Sequence, residues 1–281
     1  MTTVLETLDK GTAYLSKKGI EDARRNMQML VAHQLACTRM DLYLRFDQPL
    51  EEDDLAPLRD LLKRRGEGIP LQHLLGSVQF HRRDFKTDSR ALIPRPETEE
   101  LVEWLLKNVQ LPENPRILDM GCGSGVLGLT LAAENPSAHV VLADVSAEAR
   151  SLAAENAALL EIANVDFVES DLFSALGEDT FDLIVANLPY VPETDRASLS
   201  REVAHDPDLA LFGGPDGLDV IRRFVPAAAR RLRSGGWLAL EIGIHQDHAV
   251  EALLRDAGLT DILTLKDLSG IPRFPTARRM K

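Results

Sequence analysis

The sequence predicts a parallel α/β sheet preceded by a small helical domain. Three observations carry this. From Pro115 onward, short apolar runs alternate with segments of helical periodicity, the pattern of strand–helix–strand units. The first 75 residues instead place apolar side chains at helical spacing. The 281 residues, 44% hydrophobic and 27% charged, suffice for one large domain or two modest ones.

In the N-terminal part, Ile20, Ala23, Met27, Leu30, Val31 and Leu35 fall on one helical face. "LEEDDLAPLRDLLKRRGEG" reads as a second short helix stopping at Gly66 or Gly68, since glycine readily adopts the conformation that ends a helix. "SVQFHRRDFKTDSRALI" alternates like strands and predicts a hairpin. The domain boundary falls within it. The organisation expected is a helical domain over 1–75, a hairpin linker over 76–90 and the α/β domain over 91–281.

The α/β elements follow in order. "RILDM" is the first strand and "VLGLTLAAE" its helix; "HVVLAD" is the second strand, followed by the helix "AEARSLAAENAALL". "VDFVES" and "FDLIVAN" are the third and fourth strands. A long helix, "GLDVIRRFVPAAARRLR", precedes the fifth strand, "GWLALEI", and "HAVEALLRDAG" is the last helix. The tail, "DILTLKDLSG" and "RFPTARRM", has the pattern of two closing strands. Neither a repeat nor a low-complexity tract interrupts this order.

No apolar run reaches the length of a membrane-spanning helix, and the N-terminus lacks a secretory or transit pattern. The two cysteines, Cys37 and Cys122, are far apart in sequence, which argues against a disulfide framework and for the reducing cytoplasm. The net charge of −12 is uneven. Residues 1–75 carry 11 Lys and Arg against 12 Asp and Glu, and the remainder 21 against 32. An acidic main domain suits phosphate backbones poorly. The basic stretches His81–Lys86 and Arg222–Arg233 read as solvated faces. His245 and His248 lack a third ligand, so no metal is expected, and Trp104 reads as core.

"LDMGCGSGVLG" joins the first strand to its helix. Gly121, Gly123 and Gly125 allow a tight turn and close approach of a ligand to the backbone, with Cys122 and Ser124 between them. Asp144 ends the second strand, where a carboxylate can bind ribose hydroxyls. Two cofactors fit. The run Gly123 to Gly128 satisfies the dinucleotide pattern, and Asp144 lies at about the required spacing. The alternative is S-adenosylmethionine, favoured by Asp119. A carboxylate there suits the cofactor's ammonium group, held directly or through water, and sits badly beside a pyrophosphate. Cys122, near a helix N-terminus, has the setting of a lowered pKa. Asp171 follows the third strand. It reads equally as an acceptor for an adenine amino group, with Leu172 or Phe173 on the ring, and as the N-cap of "LFSAL".

The fourth strand ends in Asn187, Leu188, Pro189 and Tyr190. Alone this reads as a turn. Beside three acids and a glycine loop on one sheet edge it reads as a clamp for a planar –NH2 group. The Asn187 side-chain oxygen and the Leu188 carbonyl accept its two N–H groups. Pro189 restricts Leu188, and Tyr190 lies flat against the plane.

With these residues the chain resembles the bacterial glutamine N5-methyltransferases of peptide chain release factors (PrmC, also called HemK). The resemblance extends over nearly the whole chain. Its most specific segment is "ALIPRPETEELVEWLL" at 91–106, joined by "LDMGCGSG", by Asp206–Arg222 and by Leu238–Gln246. It implies a Rossmann-like S-adenosylmethionine-dependent methyltransferase fold with an N-terminal helical domain that docks the release factor. It implies methylation of the glutamine amide in the Gly-Gly-Gln loop of class-1 release factors. The resemblance puts the cofactor loop on Gly121–Gly125, the ribose acid on Asp144 and the clamp on Asn187–Tyr190, with Asn187 also expected at the cofactor. Departures are Leu188 where proline is usual, Leu172 where tryptophan is frequent, Asp206 where glutamate is common, and "GIPRF" at 270–274 in place of Gly-x-Asp-Arg. The clamp is also similar to that of ribosomal RNA adenine dimethyltransferases, the main alternative. Those enzymes favour basic surfaces and carry their extra domain after the catalytic one. An NAD-dependent oxidoreductase and a non-catalytic binding module are the remaining rivals. No direct contact with nucleic acid is expected.

Overall fold

The computed structural model describes residues 2–280. Its chain divides into two units, residues 1–76 with 200–205, and residues 77–199 with 206–281.

The first unit is helical. A two-residue strand, β1 (Thr2–Thr3), pairs with β2 (Pro49–Leu50), and between and after them lie α1 (Val4–Lys17), α2 (Ala23–Gln34), α3 (Glu52–Gly66) and α4 (Leu71–Leu75). The face predicted from spacing is the buried one, with Met27, Leu30 and Val31 packed against Leu8 and Leu15. Thr3 caps α1, its hydroxyl accepting from the Glu6 N–H. Arg65 is buried at the end of α3. It donates to Asn26 Oδ1 at 2.7 Å and to the Ile69 carbonyl at 3.1 Å, and it pairs with Glu202 of the 200–205 segment. Met40, Tyr43 and Leu44 are exposed on the 3-10 turn Asp41–Leu44.

The second unit opens with the expected hairpin, β3 (Ser77–Phe80) and β4 (Arg83–Lys86). Its two turn residues, His81 and Arg82, both take positive φ, the geometry that matches strand twist in a two-residue hairpin. Phe80 and Phe85 meet edge to face at 6.0 Å and are fully buried in the core of this unit. Each contributes roughly 1.5–3 kcal/mol of burial, so all but the first residue of the segment expected as a linker over 76–90 packs as part of the second unit.

Next come α5 (Pro96–Asn108), β5 (Arg116–Met120), α6 (Val126–Glu134), β6 (His139–Asp144), α7 (Ala147–Leu159), β7 (Val165–Glu169) and β8 (Phe181–Asn187). They are followed by α8 (Asp208–Leu211), α9 (Asp219–Arg231), β9 (Leu232–Glu241), α10 (Asp247–Asp256), β10 (Thr260–Lys266) and β11 (Pro272–Arg278). The seven-stranded sheet has the order β10-β11-β9-β8-β5-β6-β7. β5 to β9 are parallel, and β11 and β10 return antiparallel. The sheet is buried on both faces, which is why β8 reads as a continuous apolar run. Alternate residues serve opposite layers. Ile184 and Ala186 face Ile221, Phe224 and Val225, while Leu183 and Val185 face Leu101, Val102 and Leu129.

Two details depart from expectation. β9 begins at Leu232 rather than Gly236. The "LFSAL" segment forms turns, not a helix, with Leu172 at φ +49°. Among the described residues no helix is long and apolar enough to cross a membrane.

Candidate active site

Strand order reverses beside β5. The chain winds outward through β6 and β7, then returns to place β8 on the other flank of β5. Ligands of open α/β sheets occupy the crevice at such a point, beyond the carboxyl ends of the strands. A cavity of about 390 Å³ lies there, lined by the loop after β5, the end of β6, the turn after β7 and the residues after β8.

Gly121, Gly123 and Gly125 all take positive φ, which explains their number in one short loop. The loop is tied down by N–H bonds from Gly121 and Cys122 to the Ala143 carbonyl, at 2.7 and 3.1 Å. A Cβ at Gly121 would stand 2.9 Å from Leu188 Cδ2, so the glycine loop and the clamp pack directly together. Asp144 reaches across from β6. Its Oδ2 accepts the Gly123 N–H at 2.9 Å and its Oδ1 the Ser146 N–H at 2.8 Å. The carboxylate therefore holds the loop while still facing the cavity. Asp171 and Leu172 also line it, Asp171 accepting from Arg223 at 2.7 Å.

Asn187 is the last residue of β8 and is register partner to Glu241 of β9. Asn187, Leu188 and Pro189 all line the cavity. The Leu188 side chain is buried. The Tyr190 carbonyl accepts from Gln246 Nε2 at 2.9 Å, while Gln246 Oε1 accepts the Gly243 N–H at 2.8 Å. A buried glutamine thus braces the backbone that follows the clamp.

Four expectations need correction. Gly125, expected at the cofactor, does not line the cavity and is instead the N-cap of α6. Asp119 is fully buried and does not line the cavity; its Oδ2 accepts the Gly128 N–H at 2.7 Å. It supports the first turn of α6 from beneath, so no direct contact with a cofactor ammonium is available to it. Tyr190 does not line the cavity either. Its hydroxyl donates to Glu241 at 3.3 Å, and burial, then the Glu241 charge, push its pKa up. Cys122 lines the cavity, but burial pushes its thiol well above its ordinary value, with the charges of Asp119 and Asp144 acting in the same direction. The helix N-terminus does not activate it.

Asp119 also yields a stability prediction. Burial pushes its carboxyl up to about 7 from 3.8; the Gly128 N–H opposes the rise and Asp144 adds to it. Between those two values the folded state keeps a proton that the unfolded state releases, so stability falls as pH rises across the window and levels off above it. The full penalty is on the order of 4 kcal/mol. Asp119→Asn keeps an oxygen for Gly128 and cannot ionise. Its urea midpoints from pH 4.5 to 8 should fall less than those of the wild type; parallel curves would refute this reading.

Some site residues carried no assigned contact in the sequence. Arg90, Ala91, Leu92, Pro94, Arg95 and Thr98 form one wall. Asp206, with a side chain of 0% exposure, accepts from the Ile93 N–H at 3.1 Å and from Arg95 at 2.5 Å. The 91–106 motif and the 206–222 segment, separate in sequence, are therefore joined here. The available signal was the density of Pro and Arg before α5.

Comparison with known proteins places the chain in a family. Residues 6–76 match the PrmC N-terminal domain, and residues 98–207 the methyltransferase small domain. A release factor glutamine methyltransferase of Deinococcus radiodurans is 43% identical, over 98% of this chain and 98% of its own. One of Geobacter sulfurreducens is 41% identical, over 98% and 96%. The chain belongs to the release factor glutamine methyltransferase family. The fold is shared with a T. thermophilus 16S rRNA N2 G1207 methyltransferase solved with AdoMet and guanosine (TM-score 0.51, 24% identity, 72% of this chain and 49% of that one). The full-length relatives favour the glutamine reading over the ribosomal RNA alternative.

Family membership makes the chain a methyltransferase with S-adenosylmethionine as its cofactor. The residues present fit that group. A Cβ at Gly123 would meet nothing nearer than Ala91 Cβ at 3.9 Å, so the loop leaves open room beside its backbone. Asp144 offers that space a carboxylate suited to ribose hydroxyls.

Proposed function

We propose that this chain methylates the side-chain amide nitrogen of the glutamine in the Gly-Gly-Gln loop of class-1 release factors. The observation that carries this reading is Asn187-Leu188-Pro189 lining the same cavity as the glycine loop, with Leu188 packed against Gly121. Gly121, Cys122, Gly123, Ser124 and Asp144, with Asp171 and Leu172, would hold the cofactor, which when bound supplies an electrophilic methyl carbon on a sulfonium. Gly125 caps the helix behind the loop.

An amide nitrogen is a poor nucleophile because its lone pair is delocalised. Asn187 Oδ1 and the Leu188 carbonyl accept its two N–H groups, orienting the nitrogen and stabilising the positive charge that grows on it. Among the described residues no hydrogen bond occupies the Leu188 carbonyl. Pro189 restricts the backbone that presents it. Tyr190 acts from behind, through Glu241. No strong base is needed, since the nitrogen becomes acidic only as the new bond forms.

The first 75 residues serve as the docking domain in this reading. Their exposed Met40, Tyr43 and Leu44, at the 3-10 turn after α2, offer an apolar contact. The hairpin and residues 91–281 form the methyltransferase domain. The site of action is the cytoplasm and the process is translation termination. The acidic second unit supports a protein rather than a nucleic-acid substrate. Several arginines of its basic stretches are already paired, Arg222 with Asp216, Arg223 with Asp171 and Arg233 with Asp182.

The test is transfer of label from S-adenosylmethionine to a release factor, to its Gln→Ala loop variant and to ribosomal RNA in parallel. Label on the first alone is the expected result. Label on RNA, or equal label on the loop variant, would overturn the reading.

A further inference from the structure

Glu241 ends β9 with 1% exposure, and the register of β8 and β9 sets it beside Asn187. Its two oxygens accept from Thr98 Oγ1 at 2.6 Å and from the Tyr190 hydroxyl at 3.3 Å. Thr98 lies in the first turn of α5, and its Oγ1 also accepts from Asn187 Nδ2 at 3.4 Å.

A hydroxyl has one proton and a carboxylate has none to give. Thr98 therefore spends its proton on Glu241, at a separation suited to a charge-assisted bond. Its oxygen can then only accept, and the part of the Asn187 amide that can donate is Nδ2. The opposite end of the same amide is Oδ1, the acceptor that a substrate –NH2 group requires. Were the proton order reversed, Thr98 would donate to Asn187. The amide would turn its own –NH2 toward the cavity, and two donors would face each other.

We propose that Thr98 and Glu241 are positioning residues that set the direction of a hydrogen-bond relay and so fix which end of the Asn187 amide faces the substrate. This rests on the methyl-transfer reading above and deepens it. Neither residue needs to touch the reacting atoms. The relay also gives the site a sense of pH. Burial raises the carboxyl of Glu241, against the opposing effects of Thr98, Arg273 and Tyr190, while Glu97 adds to the rise. These groups face it from α5, from β11 and from the residues after β8. As pH falls through that raised value, Glu241 takes up a proton, can donate to Thr98, and the relay loses its direction.

Thr98→Val removes the hydroxyl at nearly constant volume, and Thr98→Ser retains it. The expected result is a fall in kcat of about 10- to 100-fold for Thr98→Val, the scale of a misoriented catalytic group, with the KM for cofactor little changed and a lower thermal midpoint, since Glu241 loses a buried donor. Thr98→Ser should recover most of the loss. The wild type should lose kcat on the acid side along a limb that Thr98→Val lacks. A second readout needs no methyl acceptor. The Asn187 side-chain amide protons, assigned by their absence in Asn187→Ala, should exchange with solvent more slowly in the wild type than in Thr98→Val. Wild-type kcat in Thr98→Val, no recovery in Thr98→Ser, or equal exchange rates would overturn the relay. Slow exchange in a protein that fails to label a release factor would support the relay and reject the substrate.

Discussion

Asn187→Ala is expected to lower kcat for release factor methylation by about 10²- to 10³-fold, the cost of removing one preorganised group from a developing charge. The alanine keeps the strand register and the Leu188 carbonyl, so the substrate amide retains one acceptor of two. The loss should appear in kcat rather than in cofactor affinity, because the loop and Asp144 that face the cofactor are bonded independently of Asn187. Asn187→Asp separates charge from geometry. It still offers an acceptor, but it adds a negative charge close to Glu241, its register partner. Single-turnover transfer at saturating cofactor, with affinity measured separately by calorimetry, checks the split. A variant with normal turnover and weakened cofactor binding would move Asn187 out of the catalytic role.

The second large effect is expected at Asp144. Its carboxylate already takes two backbone N–H groups, from Gly123 and Ser146, and it lines the cavity where ribose hydroxyls are proposed to bind. Asp144→Ala removes the ligand contact and the brace together. Hydrogen bonds to a charged group contribute about 1.5–3 kcal/mol each, so the cofactor Kd should rise by about 100-fold or more. Asp144→Asn keeps one acceptor and should lose less. Calorimetric titration with S-adenosylmethionine decides this, and an unchanged Kd would dismiss the ribose assignment. Because the clamp is intact, raising the cofactor concentration should restore most of the turnover of Asp144→Ala.

Much of the fold was legible because burial on both faces leaves a plain mark. β5, β6 and β8 are apolar runs without alternation, and each is followed by a residue type that a ligand edge needs. The glycines were legible too, since a loop with three positive φ values tolerates little else. What was not legible depends on partners distant in sequence. Glu241 in "LALEI" resembles an ordinary charged residue at a strand end. Its importance arises from Thr98, 143 residues earlier, and from a register that no local pattern encodes. The direct contact expected of Asp119 fails for a related reason: side chains alternate across a sheet, and this one turns beneath α6 to Gly128. Tyr190 has a ring suited to lie against a planar substrate group, but its hydroxyl finds its partner inward, at the buried carboxylate of Glu241.

The return of residues 200–205 to the helical unit bears on any attempt to take the protein apart. A fragment cut after residue 76 would keep Arg65 in its interior but leave behind Glu202, the carboxylate that neutralises it. The complementary fragment would display Glu202 with nothing to receive it. The halves are thus poor candidates for separate expression, and a fusion partner or affinity label is better placed at either end of the chain than between Leu199 and Asp206.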